Sequence, residues 1–156
     1  MRIGDLMTRD VAACQRDQPL DEAIQIMVER DCGCVPVVDE GGRPIGIVTD
    51  RDACLGACRL DCRLSELTVG DVMTPGVTCC RPEQSAADAE AIMREAQVRR
   101  LAVVDEGRRL CGVVSLGDLA RETPRQGDDG LSEREIGEAL ATICRGPAQR
   151  PAALAR

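Results

Sequence analysis

Histidine, lysine, asparagine and all three aromatic residues are absent from this chain of 156 residues. Each absence removes chemistry. Without histidine there is no Ser-His or Cys-His nucleophile and no histidine-ligated catalytic zinc, and without lysine there is neither a Schiff base nor the lysine of a P-loop. No ring is available to stack a base. No apolar run approaches the roughly 18 residues that a membrane span needs. The opening residues, MRIGDLMTRD, carry charges where a secretory signal has its apolar stretch, which predicts a cytoplasmic protein without a membrane partner. A net charge of −7 and a pI near 4.7 have the wrong sign for a surface that must neutralise nucleic-acid phosphates. An enzyme and a nucleic-acid binder are therefore both disfavoured.

What remains is an ordinary globular balance, 44% apolar and 30% charged, in a length suited to one compact unit. The ten cysteines fall short of the share that marks a disulfide scaffold, and in a cytoplasm they read as reduced thiols.

An internal repeat organises the chain. Slid by 66 residues without a gap, Ile3-Gly4-Asp5-Leu6-Met7-Thr8 meets Val69-Gly70-Asp71-Val72-Met73-Thr74, and Val37-Val38-Asp39-Glu40-Gly41 meets Val103-Val104-Asp105-Glu106-Gly107. Gly46-Ile47-Val48-Thr49 then meets Gly112-Val113-Val114-Ser115, and Asp52 meets Asp118. Residues 3–53 hold 20 identities at this offset, where chance would give roughly three. Duplication of one structural unit follows.

Within the first copy Leu20, Ala23, Ile24, Met27 and Val28 recur at helical spacing after Pro19, a residue suited to a first turn. In the second copy Ala86, Ala89, Met93 and Ala96 form the stripe, with Glu90 and Arg94 at neighbouring positions. Two short apolar runs, Val35–Val38 and Ile45–Val48, flank a turn at Asp39-Glu40-Gly41-Gly42-Arg43-Pro44 and predict a buried hairpin, repeated at Leu101–Val104 and Leu110–Val114. A further short strand is expected near Val11 and Val77, and a helix after each hairpin. Each unit thus becomes strand, helix, strand, strand, helix, an α/β (α+β) architecture whose two copies must cover one another by pseudo-twofold symmetry. The boundaries read as 1–62 for the first repeat, 63–122 for the second, and 123–156 for a linker, a C-terminal helix at 132–145 and a flexible tail. Ser132 with Glu135 makes a capping box for that helix, Ile136, Ala139, Leu140 and Ile143 give it an apolar stripe in need of a partner, and Gly146-Pro147 ends it.

The duplicated Asp-hydrophobic-Met-Thr start, the Pro-Val-Val-Asp hairpin and the Gly-hydrophobic-hydrophobic-Thr/Ser-x-x-Asp ending resemble tandem CBS (cystathionine β-synthase type) domains, the pair called a Bateman module. The likeness covers residues 3 to about 122 and is nearest to small stand-alone bacterial CBS pairs, with Val48-Thr49-Asp50-Arg51-Asp52, Val98-Arg99-Arg100-Leu101 and Ile136-Gly137-Glu138-Ala139-Leu140 typical of them. The resemblance implies a homodimer forming a flat four-unit disc, and regulatory binding of AMP, ADP, ATP, NAD, S-adenosylmethionine or another adenosyl compound between paired units. It implies no obligatory cofactor, and signalling through conformation or an unidentified effector protein. Two features depart from the family pattern: Ala102 stands where proline is usual, and Cys32-Gly33-Cys34 precedes the first hairpin.

Thr49-x-x-Asp52 and Ser115-x-x-Asp118 fall where a strand gives way to a helix. One reading is a helix capping box. The other sets a ligand phosphate against the free amides and helix dipole, with the hydroxyl as donor and the carboxylate accepting from ribose. Arg51 adds a cation in the first copy, where the second has Gly117, and Arg99 and Arg100 add cations in the second, unless they are simply solvated. The base would lie between aliphatic side chains and bond main chain near Val11 or Val77. A competing reading uses the thiols: Cys54, Cys58 and Cys62 at i, i+4 and i+8 would line one helix face as a zinc or redox site, although no Cys-x-x-Cys pair occurs. A third reading is a purely structural dimerisation module.

Overall fold

A computed structural model describes residues 1–121 and 131–144. The chain opens with one helical turn, α1 (Ile3–Leu6), followed by β1 (Cys14–Gln15), α2 (Leu20–Glu29), the hairpin β2 (Cys34–Val38) and β3 (Pro44–Thr49), and α3 (Asp50–Leu60). After a 3₁₀ turn at Leu64–Glu66 the order returns as α4 (Val69–Val72), β4 (Thr74–Pro75), β5 (Cys79–Cys80), α5 (Ala86–Ala96), β6 (Arg100–Val104), β7 (Leu110–Ser115) and α6 (Leu116–Arg121). A last helix, α7 (Glu133–Ile143), starts at the expected Ser132–Glu135 capping box. The expected linker, the Gly146-Pro147 stop and the tail lie outside the described residues. No described helix is long and apolar enough to cross a membrane.

The strand-helix-strand-strand-helix unit is present twice, but its first strand sits later than the sequence reading places it. Cys14 pairs in parallel with Val37, and Cys79 with Ala102, whereas Val11 and Val77 lie in the segments leading to these strands. The reason is an exchange between the copies. Thr74–Pro75 pairs antiparallel with Gly46–Ile47, so the start of the second repeat closes the sheet of the first, in the order β1-β2-β3-β4. Reciprocally, Thr8 bridges Val113 at the edge of the β5-β6-β7 sheet, with N–H···O distances of 2.9 and 3.0 Å. Residues 9–13 are used in travelling from one sheet to the other, and parallel pairing begins only after that passage.

Backbone bonds repeat the exchange. Ile3 N–H donates to Gln84 O and Gly4 N–H to Pro82 O, matched 66 residues away by Val69 N–H to Gln18 O and Gly70 N–H to Arg16 O. Ala86 N–H to Met1 O is likewise matched by Leu20 N–H to Leu67 O. The hydrophobic cores follow. Ile3 and Met7 pack with Met93, Leu101, Val103, Val114 and Leu119 of the second repeat. Leu67 and Val69 pack with Leu20, Met27, Val35, Val37 and Val48 of the first. Neither core is complete without the other half of the chain.

Two helix stripes differ from expectation. Val28 is 76% exposed. It falls roughly 80° round the helix from Leu20, beyond the flank that Leu20, Ala23 and Met27 bury. On α5 the buried set is Ala86, Ala89, Glu90 and Met93, while Ala96, in the last turn, is exposed. Glu90 is only 6% exposed because α7 packs along α5, and it occupies the position of Ile24 in the first repeat. Among the described residues its Oε1 has no hydrogen-bond partner, and Arg94 Nε stands 3.7 Å away.

The hairpin turns carry a small sequence asymmetry with a measurable consequence. Gly42 adopts φ +75° in the first turn, and the equivalent position in the second is Arg108 at φ 62°. Left-handed backbone costs a side-chain-bearing residue about 1–2 kcal/mol, partly offset by glycine's greater freedom in the unfolded chain. Arg108→Gly is expected to raise stability by about 0.5–1 kcal/mol in urea denaturation, net of those opposing effects. An unchanged or lower midpoint would mean that the arginine side chain contributes a contact worth more than the strain.

Candidate functional site

Both Thr/Ser-x-x-Asp motifs are built as capping boxes. Thr49 Oγ1 donates to Asp52 Oδ2 at 2.7 Å and Thr49 N–H to the same oxygen at 3.0 Å, while Asp52 N–H donates back to Thr49 Oγ1 at 3.1 Å. In the second copy Ser115 Oγ and N–H donate to Asp118 Oδ2 at 2.6 and 2.7 Å, and Asp118 N–H returns to Ser115 Oγ at 3.2 Å. The arrangement is that of a helix start fixed directly at a strand end, and each box holds a hydroxyl and a carboxylate there.

Arginine distinguishes the boxes. Asp118 Oδ1 accepts from Arg121 one turn later, and the first repeat has Leu55 at the position matching Arg121. The start of each hairpin lies beside its box, since Cys34 pairs with Thr49 and Arg100 with Ser115. Burial raises the Cys34 thiol, and the Arg100 guanidinium of the other repeat pulls it the opposite way.

A cleft of about 300 Å³ gathers Arg99, Arg100 and Ser115 with Leu116, Gly117 and Ala120, and its far wall is Ile136 and Leu140 of α7. Three of the expected site residues thus share one concave surface. Asp118 stays in its cap, and Val77 does not line the cleft, although the bond from Ala102 N–H to Thr78 O brings the chain next to Val77 alongside β6. In the first repeat Asp52 faces a cleft of about 270 Å³ with Leu55, Arg59 and Asp71, and neither Thr49, Arg51 nor Val11 lines it. The two clefts differ in charge, and the second, with Arg99 and Arg100, is the more cationic.

A larger cleft, about 510 Å³, lies at the turn end of the first hairpin. Asp17, Asp39, Glu40 and Asp71 line it against a single arginine, Arg16, which makes it repulsive to phosphate. Volume favours this cleft and charge favours the smaller one; for an anionic ligand the charge decides.

The wall formed by Ile136 and Leu140 was not foreseen from the sequence. Its signal was the apolar stripe of α7, which sequence alone leaves without a partner. In the structure α7 packs on α5 and α6, with Ala139 fully buried and Ile136 and Ile143 against the second core.

The zinc form of the thiol reading is not met by the placement of the cysteines among the described residues. Cys54 and Cys58 lie exposed on α3, but the helix ends at Leu60 and Asp61 takes a left-handed conformation, so Cys62 leaves the line of the other two. Among the described residues no three Cys, Asp or Glu side chains are grouped to hold a metal ion. Burial pushes the Cys14 thiol up to about 11 and that of Cys80 to about 12, which keeps both protonated and poor as ligands or nucleophiles.

The family profile described as CBS domain matches residues 3–55 and 69–124, one match per repeat. The chain is 34% identical over 141 residues to the CBS domain-containing protein YhcV of Bacillus subtilis, covering 90% of this chain and 94% of that one. Among solved structures it is similar to CBSX2 of Arabidopsis thaliana in complex with AMP, with a TM-score of 0.65, 29% identity, and 78% and 94% of the two chains covered. It is also similar to Hypoxic Response Protein I with two coordinated zinc ions, with a TM-score of 0.70, 29% identity, and 80% and 100% covered. The exchanged starts, the paired hairpins and the two capped motifs therefore have their explanation in descent: this chain belongs to the CBS domain family, as a tandem pair.

Proposed function

We propose that this CBS pair is a non-enzymatic regulatory module, cytoplasmic and homodimeric, that binds an adenine-containing ligand and passes its occupancy to an effector protein through conformation. The observation that carries the reading is the second-repeat cleft, where Ser115, Arg99 and Arg100 converge beside a helix start in a chain with no enzymatic nucleophile-base pair of the His or Lys kind. Arginines there supply the charge for a phosphate or the carboxylate of an adenosyl compound, and aliphatic walls take the base in place of a ring. The binding of AMP by CBSX2, a relative of the same fold, supports an adenosyl ligand over other anions. Asp52 and Asp118 are the ribose partners in this reading. Each would exchange its cap bond to the hydroxyl for a ligand bond.

Thermal melting of the reduced protein with AMP, ADP, ATP, NAD and S-adenosylmethionine tests the proposal. A ligand that binds only the folded state raises the melting temperature by mass action. At least one compound is expected to do so, and the Asp52→Ala, Asp118→Ala double variant is expected to lose the shift while retaining its fold. A wild-type curve that no compound moves would leave the boxes as helix caps and the module as a dimerisation scaffold.

A further inference from the structure

We propose that α7 is the base-side wall of the second-repeat ligand site, so that ligand occupancy and the docking of α7 on the module are thermodynamically linked. The inference rests on the adenosyl reading above and adds the element that senses it. Across the cleft the two sides differ in chemistry. Arg99, Arg100 and Ser115 present charge and a hydroxyl, while Ile136 and Leu140 face them with aliphatic surface alone. An adenosyl compound has the same division, with an anionic or polar end and a flat base whose faces are apolar, and the chain has no aromatic residue to receive that base.

Leu140 sharpens the case. Ala139, its neighbour, is fully buried in the second core, yet Leu140 keeps 47% of its surface exposed while lining the cleft. A bound base would cover that surface, adding apolar burial that exists only when α7 is docked. Ligand and helix then stabilise each other: whatever the ligand gains from Ile136 and Leu140, the docked state of α7 gains from the ligand by the same factor. The first repeat offers no such wall among the described residues, since its cleft is closed by α3 and α4. The second site alone would report to α7.

Isothermal titration of the full chain with AMP, ATP, NAD and S-adenosylmethionine tests this, comparing wild type with Leu140→Ala and with Arg134→Ala, an exposed α7 residue away from the cleft. Leu140→Ala is expected to weaken binding about fivefold, the scale of losing part of one leucine contact, and Arg134→Ala to leave it unchanged. Hydrogen exchange on the wild type is the second measurement, and ligand is expected to slow the amides of residues 133–143. Unchanged affinity in Leu140→Ala overturns the wall while the adenosyl reading stands. Should that variant fail to fold, unchanged α7 exchange in liganded wild type overturns it instead. No binding of any compound to wild type removes both proposals together.

Discussion

Ile3→Ala is expected to cost about 3–4 kcal/mol of stability, the upper part of the range for truncating a fully buried aliphatic side chain. Ile3 has no exposed surface and belongs to the core of the second repeat, with Met93, Leu101 and Val114, although it is encoded at the far end of the first. Truncation removes three carbons from a site bounded on several sides by rigid elements, where α1 is held by the bonds of Ile3 to Gln84 and Gly4 to Pro82. Collapse of the cavity would have to break that pairing, so relaxation recovers little. Urea denaturation measures the loss. Hydrogen exchange locates it: protection should fall first in β5, β6 and β7, which share that core, and not in β1 to β3. Loss confined to the first repeat would contradict the exchange of starts.

Gly46→Ala is expected to destabilise by about 2–3 kcal/mol through overpacking at the seam between copies. A Cβ at Gly46 would lie 2.5 Å from Met73 Cε and 2.7 Å from Thr74 O. The methionine end can swing aside; the carbonyl cannot, because Thr74 is in β4 and pairs with Ile47 beside it. The added methyl must push β4 away from β3, breaking the pairing that joins the second repeat's start to the first repeat's sheet. Gly137→Ala is the control, with nothing within 4 Å of the added carbon. If Gly46→Ala melts with the wild type while remaining folded, the close approach of β4 is wrong.

Much of the architecture could be read from residues. The offset of 66 exposed the duplication, Pro19 and the Leu20-Ala23-Met27 spacing marked α2, and the turn at Asp39–Pro44 marked the first hairpin, all because those signals are local. The capping boxes were also legible, since Thr49-Asp52 and Ser115-Asp118 satisfy one another across three residues. Partner choice was not. Sliding one copy over the other says that Thr8 and Thr74 are equivalent, and it cannot say that each joins the other's sheet. For the same reason the stripe of α7 announced a buried face without naming α5 and α6, and the burial of Glu90, beside the α5 stripe, comes with the packing of α7. The candidate site shared this division. Arg99, Arg100 and Ser115 were visible as residue types near a strand end, whereas Ile136 and Leu140 reach the same cleft only through tertiary packing.

During synthesis the exchanged starts impose an order of events. Residues 1–8 leave the ribosome well before their hydrogen-bond acceptors at Pro82, Gln84 and Val113 have been made. Until then Ile3 and Met7 have no place to bury, and the first sheet lacks β4 for nearly as long. Contacts so distant in sequence slow folding and keep apolar segments uncovered in the meantime. A nascent chain interrupted between the two hairpins would carry an open sheet edge and an unplaced apolar arm, both complementary to those of an identical fragment.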